Sequence, residues 1–231
     1  MLNIQGINAG YKDIQILRDV DLEIPKGSVV ALMGRNGVGK TTFLKTIIGL
    51  INVKSGTIFF NNEDITHISI DKRARKGISY VPQGREIFPY LTVYENIILG
   101  FEAKHNYSNE MLQRIYEMFP VLKKMLNKNG GELSGGQQQQ LAIARALASD
   151  PGLILMDEPT EGIQPSIVLE IENIIKLIKG QKTISILLVE QYMDFALRLS
   201  DYCYVMEKGT IVFKSGRNEF NKDDIKKYLT I

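Results

Sequence analysis

The residues from Gly34 to Thr41 read Gly-Arg-Asn-Gly-Val-Gly-Lys-Thr, which combines small residues with one lysine and one hydroxyl. Glycines let backbone N–H groups turn toward phosphate oxygens, and a helix that begins at the lysine points its positive end at the same place. Lys40 would supply a cation between the β- and γ-phosphates, and the Thr41 hydroxyl would be a ligand of Mg²⁺. This segment therefore predicts a binding loop for a nucleoside triphosphate. The residues predicted to contact the nucleotide here are Gly34, Arg35, Asn36, Gly37, Val38, Gly39, Lys40, Thr41 and Thr42.

Two adjacent carboxylates, Asp157 and Glu158, follow the apolar run 153–156. A buried strand there would deliver both side chains to the carboxyl edge of a sheet, where ligands bind in open α/β folds. Asp157 is expected to hold Mg²⁺ through water. Glu158 is expected to orient and deprotonate the attacking water as a general base. Together with the glycine-rich loop, this pair predicts hydrolysis of the nucleotide.

A third motif, Leu133-Ser134-Gly135-Gly136-Gln137, lies between the first two. A serine is a good N-cap, and the apolar spacing after it predicts a helix. The serine hydroxyl, the two glycines and the helix N-terminus then form a second predicted anion site.

The elements that must position these motifs follow from the hydrophobic pattern. The apolar run at 28–33 predicts a buried parallel strand, and the segments 77–81, 153–156 and 183–189 predict further strands. A helix is predicted from Lys40, directly after the first of these strands. Strands that alternate with helices indicate an α/β fold with a mostly parallel sheet.

Three further regions depart from this alternation. Short alternating segments at 3–5 and 21–24 predict antiparallel strands near the start, and the segments 202–206 and 210–213 predict a hairpin. The pattern is helical from about residue 85 to residue 148.

Cap residues mark where some of the helices begin. Thr92 and Glu95 predict a capping box that opens a helix at Val93. Ser108 is predicted to cap the next helix, and Pro165 to lie in the first turn of a long helix after the acidic pair.

The composition is that of one soluble domain. The chain has 231 residues, 44% of them hydrophobic and 23% charged, and a net charge of +2. Because the basic residues form no stripe, nucleic acid is not expected as a partner. The single Cys203 predicts a buried thiol in a reducing compartment. No apolar run approaches the roughly 20 residues that span a bilayer, and no export signal is expected, so we expect a cytoplasmic chain whose membrane role comes through partners.

With these motifs in this order, the chain resembles the ATP-binding cassette (ABC) family. The resemblance covers nearly the whole chain and implies ATP and Mg²⁺ as cofactors. It also implies the P-loop NTPase fold, with a RecA-like parallel core sheet, an N-terminal antiparallel β-subdomain and an inserted α-helical subdomain. The implied organisation is one ABC ATPase domain over residues 1–231, with the nucleotide-binding core and β-subdomain at 1–84 and 149–231 and the helical subdomain at 85–148.

The resemblance also implies roles for further residues. In this family a glutamine at the place of Gln83 contacts Mg²⁺ and the attacking water, and an aromatic residue at the place of Tyr11 stacks on adenine. The residues Ser134–Gln137 would close on the γ-phosphate held by the opposite subunit. The family resemblance therefore implies a head-to-tail dimer that sandwiches two ATP molecules.

The chain departs from the common family pattern at two places. Gln191 occupies the position of a histidine that often contacts the γ-phosphate, and His67 and His105 lie elsewhere. An amide can donate to a phosphate oxygen but cannot shuttle a proton, so Glu158 is expected to be the base and Gln191 the γ-phosphate sensor. Gln164 replaces the acidic residue of the usual dimer-contact loop.

These departures narrow the family, because Glu161-Gly162 and Glu190-Gln191 resemble one branch of it, the importers of the branched-chain amino acid type. The strings at 81–89, 157–166 and 187–196 are similar to the urea importer ATPases of that branch. The resemblance thus implies an ATPase that powers uptake of urea or short amides, with branched-chain amino acid import as the alternative. A soluble repair or translation ATPase is disfavoured because the chain has neither a long coiled-coil insertion nor a second cassette. The intact Lys40, Asp157 and Glu158 argue against a non-hydrolysing regulatory scaffold.

The implied partners follow from this importer interpretation. They are a second ABC ATPase subunit, identical or related, two integral-membrane permease subunits and, indirectly, an extracytoplasmic substrate-binding protein. The chain would lie on the inner face of the cell membrane as a peripheral protein. The segment 87–96 is expected to transmit movement to the permeases, and Phe88 or Tyr90 is expected either in the docking groove or in the core of the helical part.

Overall fold

Strands and helices alternate along residues 1–219 and 221–229, which the computed structural model describes. In chain order, the strands are β1 (Leu2–Tyr11), β2 (Ile14–Ile24), β3 (Val29–Met33), β4 (Val53–Phe60), β5 (Glu63–Asp64), β6 (Ile78–Val81), β7 (Leu153–Asp157), β8 (Ser185–Glu190), β9 (Tyr202–Glu207) and β10 (Thr210–Gly216). The α-helices are α1 (Lys40–Ile48), α2 (Ile70–Arg75), α3 (Val93–Phe101), α4 (Asn109–Met118), α5 (Pro120–Lys123), α6 (Gly135–Ala148), α7 (Pro165–Gln181), α8 (Met193–Leu199) and α9 (Lys222–Leu229).

A mostly parallel sheet forms the centre of the described part of the chain. Its strand order is β10-β9-β3-β8-β7-β6, and only β10 pairs antiparallel to its neighbour. All residues of β3, β7 and β8 are buried, as expected for strands covered on both faces. The register pairs Met33 with Glu190 and Asp157 with Val189. The loops that follow these three strands therefore meet at one edge, which confirms the predicted α/β fold.

A second sheet is antiparallel, with the order β2-β1-β4-β5 among the described residues. It is joined to the glycine-rich loop through Gly209, in the turn between β9 and β10. Arg18 N donates to the carbonyl of Gly209 at 2.8 Å, and Gly209 N donates to the carbonyl of Val38 at 2.9 Å. A Cβ at position 209 would lie 1.7 Å from the carbonyl oxygen of Ile16, so only glycine fits there. The antiparallel sheet thus holds the loop from one side.

The helices α3 to α6 pack around a shared apolar core with the parallel sheet. Helices α3 and α6 approach each other closely at Gly100, where a Cβ would lie 2.2 Å from the carbonyl oxygen of Arg145 and 2.7 Å from the Cβ of Ala148. No helix within residues 1–219 and 221–229 has both the length and the apolarity that crossing a bilayer requires. The proposed boundaries of the helical subdomain, 85–148, stay a prediction.

The predicted caps are present. Thr92 and Glu95 form the capping box that opens α3, and the Ser108 hydroxyl accepts from Met111 N at the start of α4. Pro165 lies in the first turn of α7. The hairpin of β9 and β10 is also confirmed.

The helix start predicted at Val93 is confirmed, but the helical pattern from about residue 85 does not hold before it, because the residues between β6 and α3 are not helical. Gly84, Arg85 and Glu86 have φ values of 79°, 74° and 44°, so the chain makes a left-handed turn that no α-helix can contain. Strands β4 and β5 and helix α2 had no sequence prediction. The start of β8 moves from residue 183 to Ser185 because α7 continues to Gln181 and ends on a left-handed residue, Lys182.

Candidate active site

The glycine-rich loop connects β3 to α1 and opens into a cleft of about 330 Å³. Helix α1 begins at Lys40, and its N-cap Gly39 has a φ of 112°, a value that favours glycine. The first N–H groups of α1 therefore lie at the cleft, where they favour an anion. The residues that line the cleft are Ile16, Asn36, Gly37, Gly39, Lys40, Thr41, Thr42, Gln83 and Glu158.

Lys40 is buried and makes three polar contacts. Its Nζ donates to the carbonyl oxygens of Gly34 at 2.8 Å and Arg35 at 3.1 Å. It also lies 3.3 Å from Oε1 of Glu158. The ammonium is thus fixed over the loop, with one carboxylate as its ionic partner.

Asp157 ends β7 and is fully buried. Its Oδ2 accepts from the Tyr80 hydroxyl at 3.1 Å, whereas Oδ1 has no hydrogen-bond partner among the described residues. Burial raises the pKa of Asp157 above its ordinary value, and the nearby hydroxyls of Thr41 and Tyr80 act in the opposite direction. Burial, followed by the charge of Asp157, raises the pKa of Tyr80, so its hydroxyl stays a donor.

This arrangement fits Mg²⁺. The described residues hold no group of three or more His, Cys, Asp or Glu side chains suited to a metal. Mg²⁺ at nucleotide sites, however, takes one or two carboxylates, and phosphate oxygens and water complete its octahedron. The unpartnered Oδ1 of Asp157 and the neighbouring Thr41 hydroxyl are oxygen ligands of this kind.

Glu158 stands at the turn after β7 with a φ of +47°, in the left-handed region. Its N–H donates to the carbonyl of Val189 at 3.0 Å. Oε2 accepts from Nε2 of Gln191 at 2.6 Å, and Oε1 faces Lys40. The carboxylate is therefore held between a cation and an amide at the rim of the cleft, in a position to accept a proton from water.

The structure brings Gln83 to the cleft but leaves Tyr11 outside its lining. Nε2 of Gln83 donates to Oε2 of Glu161 at 2.7 Å. Tyr11 ends β1, pairs with Ile14 across the hairpin and is 48% exposed. Ile16, on β2, is the residue of this region that lines the cleft. The stacking of adenine on Tyr11 stays a prediction.

The motif at 133–137 forms a separate site at the start of α6. Ser134 and Gln137 make a capping box, in which Gln137 Oε1 accepts from Ser134 N at 2.9 Å. A Cβ at Gly136 would lie 2.7 Å from Cγ2 of Ile167, so the helix start is packed closely on α7. At Gly135, a Cβ would lie 2.8 Å from the guanidinium of Arg85. None of the residues that line the phosphate cleft belongs to this motif.

Sequence reasoning missed Ile16, Tyr80, Thr160 and Glu190, which lie around the site. Ile16 forms one wall of the cleft, and Tyr80 contacts Asp157. Glu190 is 1% exposed, and its Oε1 accepts from Thr160 N at 3.2 Å and from Thr160 Oγ1 at 2.7 Å. Burial raises the pKa of Glu190, and the hydrogen bond from Thr160 opposes that shift. A charged residue at the end of an otherwise apolar run was the signal that could have identified Glu190.

Comparisons with known proteins agree with this geometry. A family model described as ABC transporter matches residues 17–161. The chain is 41% identical over 214 residues to the high-affinity branched-chain amino acid transport ATP-binding protein BraG of Pseudomonas aeruginosa, covering 92% of this chain and 91% of that protein. It is 38% identical to the probable branched-chain amino acid transport ATP-binding protein LivF of Archaeoglobus fulgidus, covering 95% and 93%. A solved dimeric ATP-binding cassette in a post-hydrolysis state, bound to ADP and Pi, matches with a TM-score of 0.83 and 27% identity, covering 95% of this chain and 100% of that one.

Proposed function

Because the chain belongs to the ABC transporter family, we propose that this ATP-hydrolysing subunit powers the import of branched-chain amino acids through partner permeases. The observation that carries the substrate class is the similarity to two relatives, BraG and LivF, over more than nine-tenths of the chain. Both relatives are named for branched-chain amino acid transport, and neither name refers to urea. The comparisons thus support the branched-chain alternative rather than the urea interpretation of 81–89, 157–166 and 187–196.

The phosphates of ATP would bind the first N–H groups of α1 and the ammonium of Lys40. A Mg²⁺ ion held by Thr41 and Asp157, with Gln83 nearby, would neutralise phosphate charge. Because Lys40 contacts Oε1 of Glu158 at 3.3 Å, phosphate binding would compete for the ammonium and free this oxygen for the attacking water. Glu158 would then take the proton as general base, held by Gln191.

The second anion site, at the start of α6, requires a second ATPase subunit. Ser134 to Gln137 contribute no lining to the phosphate cleft of the same chain. In a head-to-tail dimer each of these helix starts would face the γ-phosphate of the other subunit. The partner is a second copy or a related ATPase.

Contact with the permeases would use the segment between β6 and α3. Phe88 is 49% exposed and Tyr90 is 92% exposed, so both rings are available to a partner. The segment is held to α3 by Asn96, whose amide binds the backbone of Phe88 and the carbonyl oxygens of Leu91 and Thr92. Through these permeases the chain would lie on the inner face of the membrane, with an extracytoplasmic binding protein on the other side.

The substrate class is tested in vesicles that contain the chain, its cognate permeases and the binding protein. We expect ATP hydrolysis to rise when the binding protein carries leucine, isoleucine or valine, and to stay at its basal rate when urea is supplied. Stimulation by urea alone would overturn the substrate assignment.

Hydrolysis is tested with Glu158→Gln, which replaces the carboxylate of the proposed base with an uncharged amide of similar size. Phosphate release should fall by about 10²- to 10⁴-fold while ATP binding persists. Glu110→Gln, on an exposed carboxylate of α4 that pairs with Arg114, is the matched control and should hydrolyse ATP normally. Normal turnover by Glu158→Gln would overturn the assignment of the base.

A further inference from the structure

The turn that carries Glu158 is strained. A side chain with a Cβ avoids φ values near +47° unless its surroundings hold it there. Two backbone hydrogen bonds act on this turn, from Glu158 N to the carbonyl of Val189 at 3.0 Å and from Glu161 N to the carbonyl of Glu158 at 3.1 Å. Neither fixes the Glu158 carboxylate itself.

A buried carboxylate at the end of the neighbouring strand, Glu190, contacts this turn with one oxygen and the backbone of Gln191 with the other. Oε1 of Glu190 accepts two hydrogen bonds from Thr160, and Oε2 accepts from Gln191 N at 3.1 Å. Nε2 of Gln191 in turn donates to Oε2 of Glu158 at 2.6 Å. These contacts close a ring from Glu158 through Thr160, Glu190 and Gln191 back to Glu158.

We propose that Glu190 is a positioning residue for ATP hydrolysis, which fixes the strained turn of Glu158 and the amide that orients its carboxylate. The inference rests on the proposed role of Glu158 as general base. Glu190 also pairs with Met33 in the register of β3 and β8, directly before the glycine-rich loop. The ring is thereby fixed to the same strand ends that hold the phosphate cleft.

This ring of hydrogen bonds requires a carboxylate at position 190. Three donors point at Glu190, and an ionised carboxylate offers only acceptors. In Glu190→Gln, one oxygen would remain for Thr160, but the new NH₂ group would face the N–H of Gln191. A buried donor pair of this kind leaves both groups without a partner, so Gln191 would move away from Glu158.

The sharpest variant is Thr160→Val, which removes one hydroxyl from the ring and keeps the shape of the side chain. We expect kcat for ATP hydrolysis to fall by roughly 10- to 100-fold, because small displacements of a catalytic group have effects of this size. The KM for ATP and the Kd of a fluorescent ATP analogue should stay within about twofold, since Thr160 lies outside the lining of the cleft. Thr160→Ser restores the hydroxyl and should recover most of kcat.

Thr66→Val is the matched control. Thr66 and Thr160 are both 3% exposed, and the Thr66 hydroxyl accepts from Ile58 N and donates to Oδ1 of Asp64, away from the cleft. Thr66→Val should lower the Tm about as much as Thr160→Val does and leave kcat unchanged. Glu190→Gln should lower kcat at least as far as Thr160→Val, again with KM preserved.

The outcomes separate this inference from the proposed function. Normal kcat in Thr160→Val, beside an inactive Glu158→Gln, would overturn the role of the ring and leave the ATPase assignment intact. Equal losses of kcat in Thr160→Val and Thr66→Val would also overturn it, because the effect would then be one of stability. Normal hydrolysis by Glu158→Gln would instead overturn the proposed mechanism.

Discussion

The side-chain amide of Gln191 donates to Oε2 of Glu158 at 2.6 Å, while the ammonium of Lys40 lies 3.3 Å from Oε1 of the same carboxylate. One oxygen of Glu158 thus faces the ammonium of Lys40, and the other faces a neutral donor. Because an amide does not titrate, Gln191 orients the carboxylate without changing charge over the physiological pH range.

Gln191→Ala should therefore lower kcat for ATP hydrolysis by about 10- to 100-fold with little change in ATP affinity. Gln191→His should retain part of the rate, because an imidazole N–H can also donate to the carboxylate. Steady-state phosphate release at saturating ATP measures the kcat of both variants. Gln113→Ala, on the exposed side of α4, is the control and should be normal. Full activity of Gln191→Ala would contradict the orienting role.

The close crossing of α3 and α6 gives a prediction for stability. Gly100→Ala would place a Cβ 2.2 Å from the carbonyl oxygen of Arg145, so the helices must separate, and unfolding should become easier by about 1–3 kcal/mol. Gly180→Ala, in α7, meets nothing within 4 Å and should stabilise the chain by about 0.5–1 kcal/mol. Thermal and urea unfolding measure both, and equal effects of the two substitutions would contradict the packing argument.

The ion pair between α7 and α8 gives a pH prediction. Hydrogen bonds from Arg198 lower the pKa of Glu172, and Lys176 adds to this shift. A carboxyl with a lowered folded-state pKa stabilises the protein above its ordinary pKa of about 4.3, and this contribution is lost as pH falls through the lowered value.

Glu172→Gln should therefore lower the free energy of unfolding by about 1 kcal/mol at pH 7, a modest value because Arg198 is half exposed to solvent. The difference from the parent chain should shrink steadily as the pH falls below about 4. Urea titrations between pH 3 and pH 7 would show this. A difference that stays constant across this range would contradict the assignment of the shift to Glu172.

Burial gives a chemical prediction for Cys203. The side chain is fully buried in β9, and burial raises the pKa of its thiol to about 12. Since only the thiolate reacts with iodoacetamide, the native chain should resist alkylation at pH 8 and react completely once unfolded in urea. Mass spectrometry measures the labelled fraction. Labelling of the native chain at the unfolded rate would mean that Cys203 is accessible.

The local motifs could be predicted from the sequence because the residues that form each motif lie within a few positions of one another. The glycine-rich loop, the capping box of Thr92 and the strand that ends at Asp157 each depend on neighbours along the chain. The hydrogen bonds of Glu190 could not be predicted from the sequence. Thr160 and Glu190 are 30 residues apart and meet only through the register of β7 and β8. Ile16 was missed for the same reason, since it reaches the cleft from the other sheet.

The left-handed turn at 84–86 escaped prediction for another reason. Arg85 and Glu86 are not residues that usually adopt positive φ, so nothing local distinguishes them. Their conformation depends on distant contacts such as the hydrogen bond from Nη2 of Arg145 to the carbonyl of Glu86 at 2.8 Å. Tertiary contacts here overrule the helical preference of the neighbouring sequence.

Four residues separate Gln83, at the phosphate cleft, from Phe88, whose ring is exposed and whose backbone is bound by Asn96. A connection this short is fixed at both ends, so the number of its residues is constrained. One inserted residue would move the two ends apart by up to about 3.6 Å, and one deleted residue would pull one of them from its contacts. The number of residues between the two ends is therefore more tightly constrained than the side chains on the exposed face of this segment.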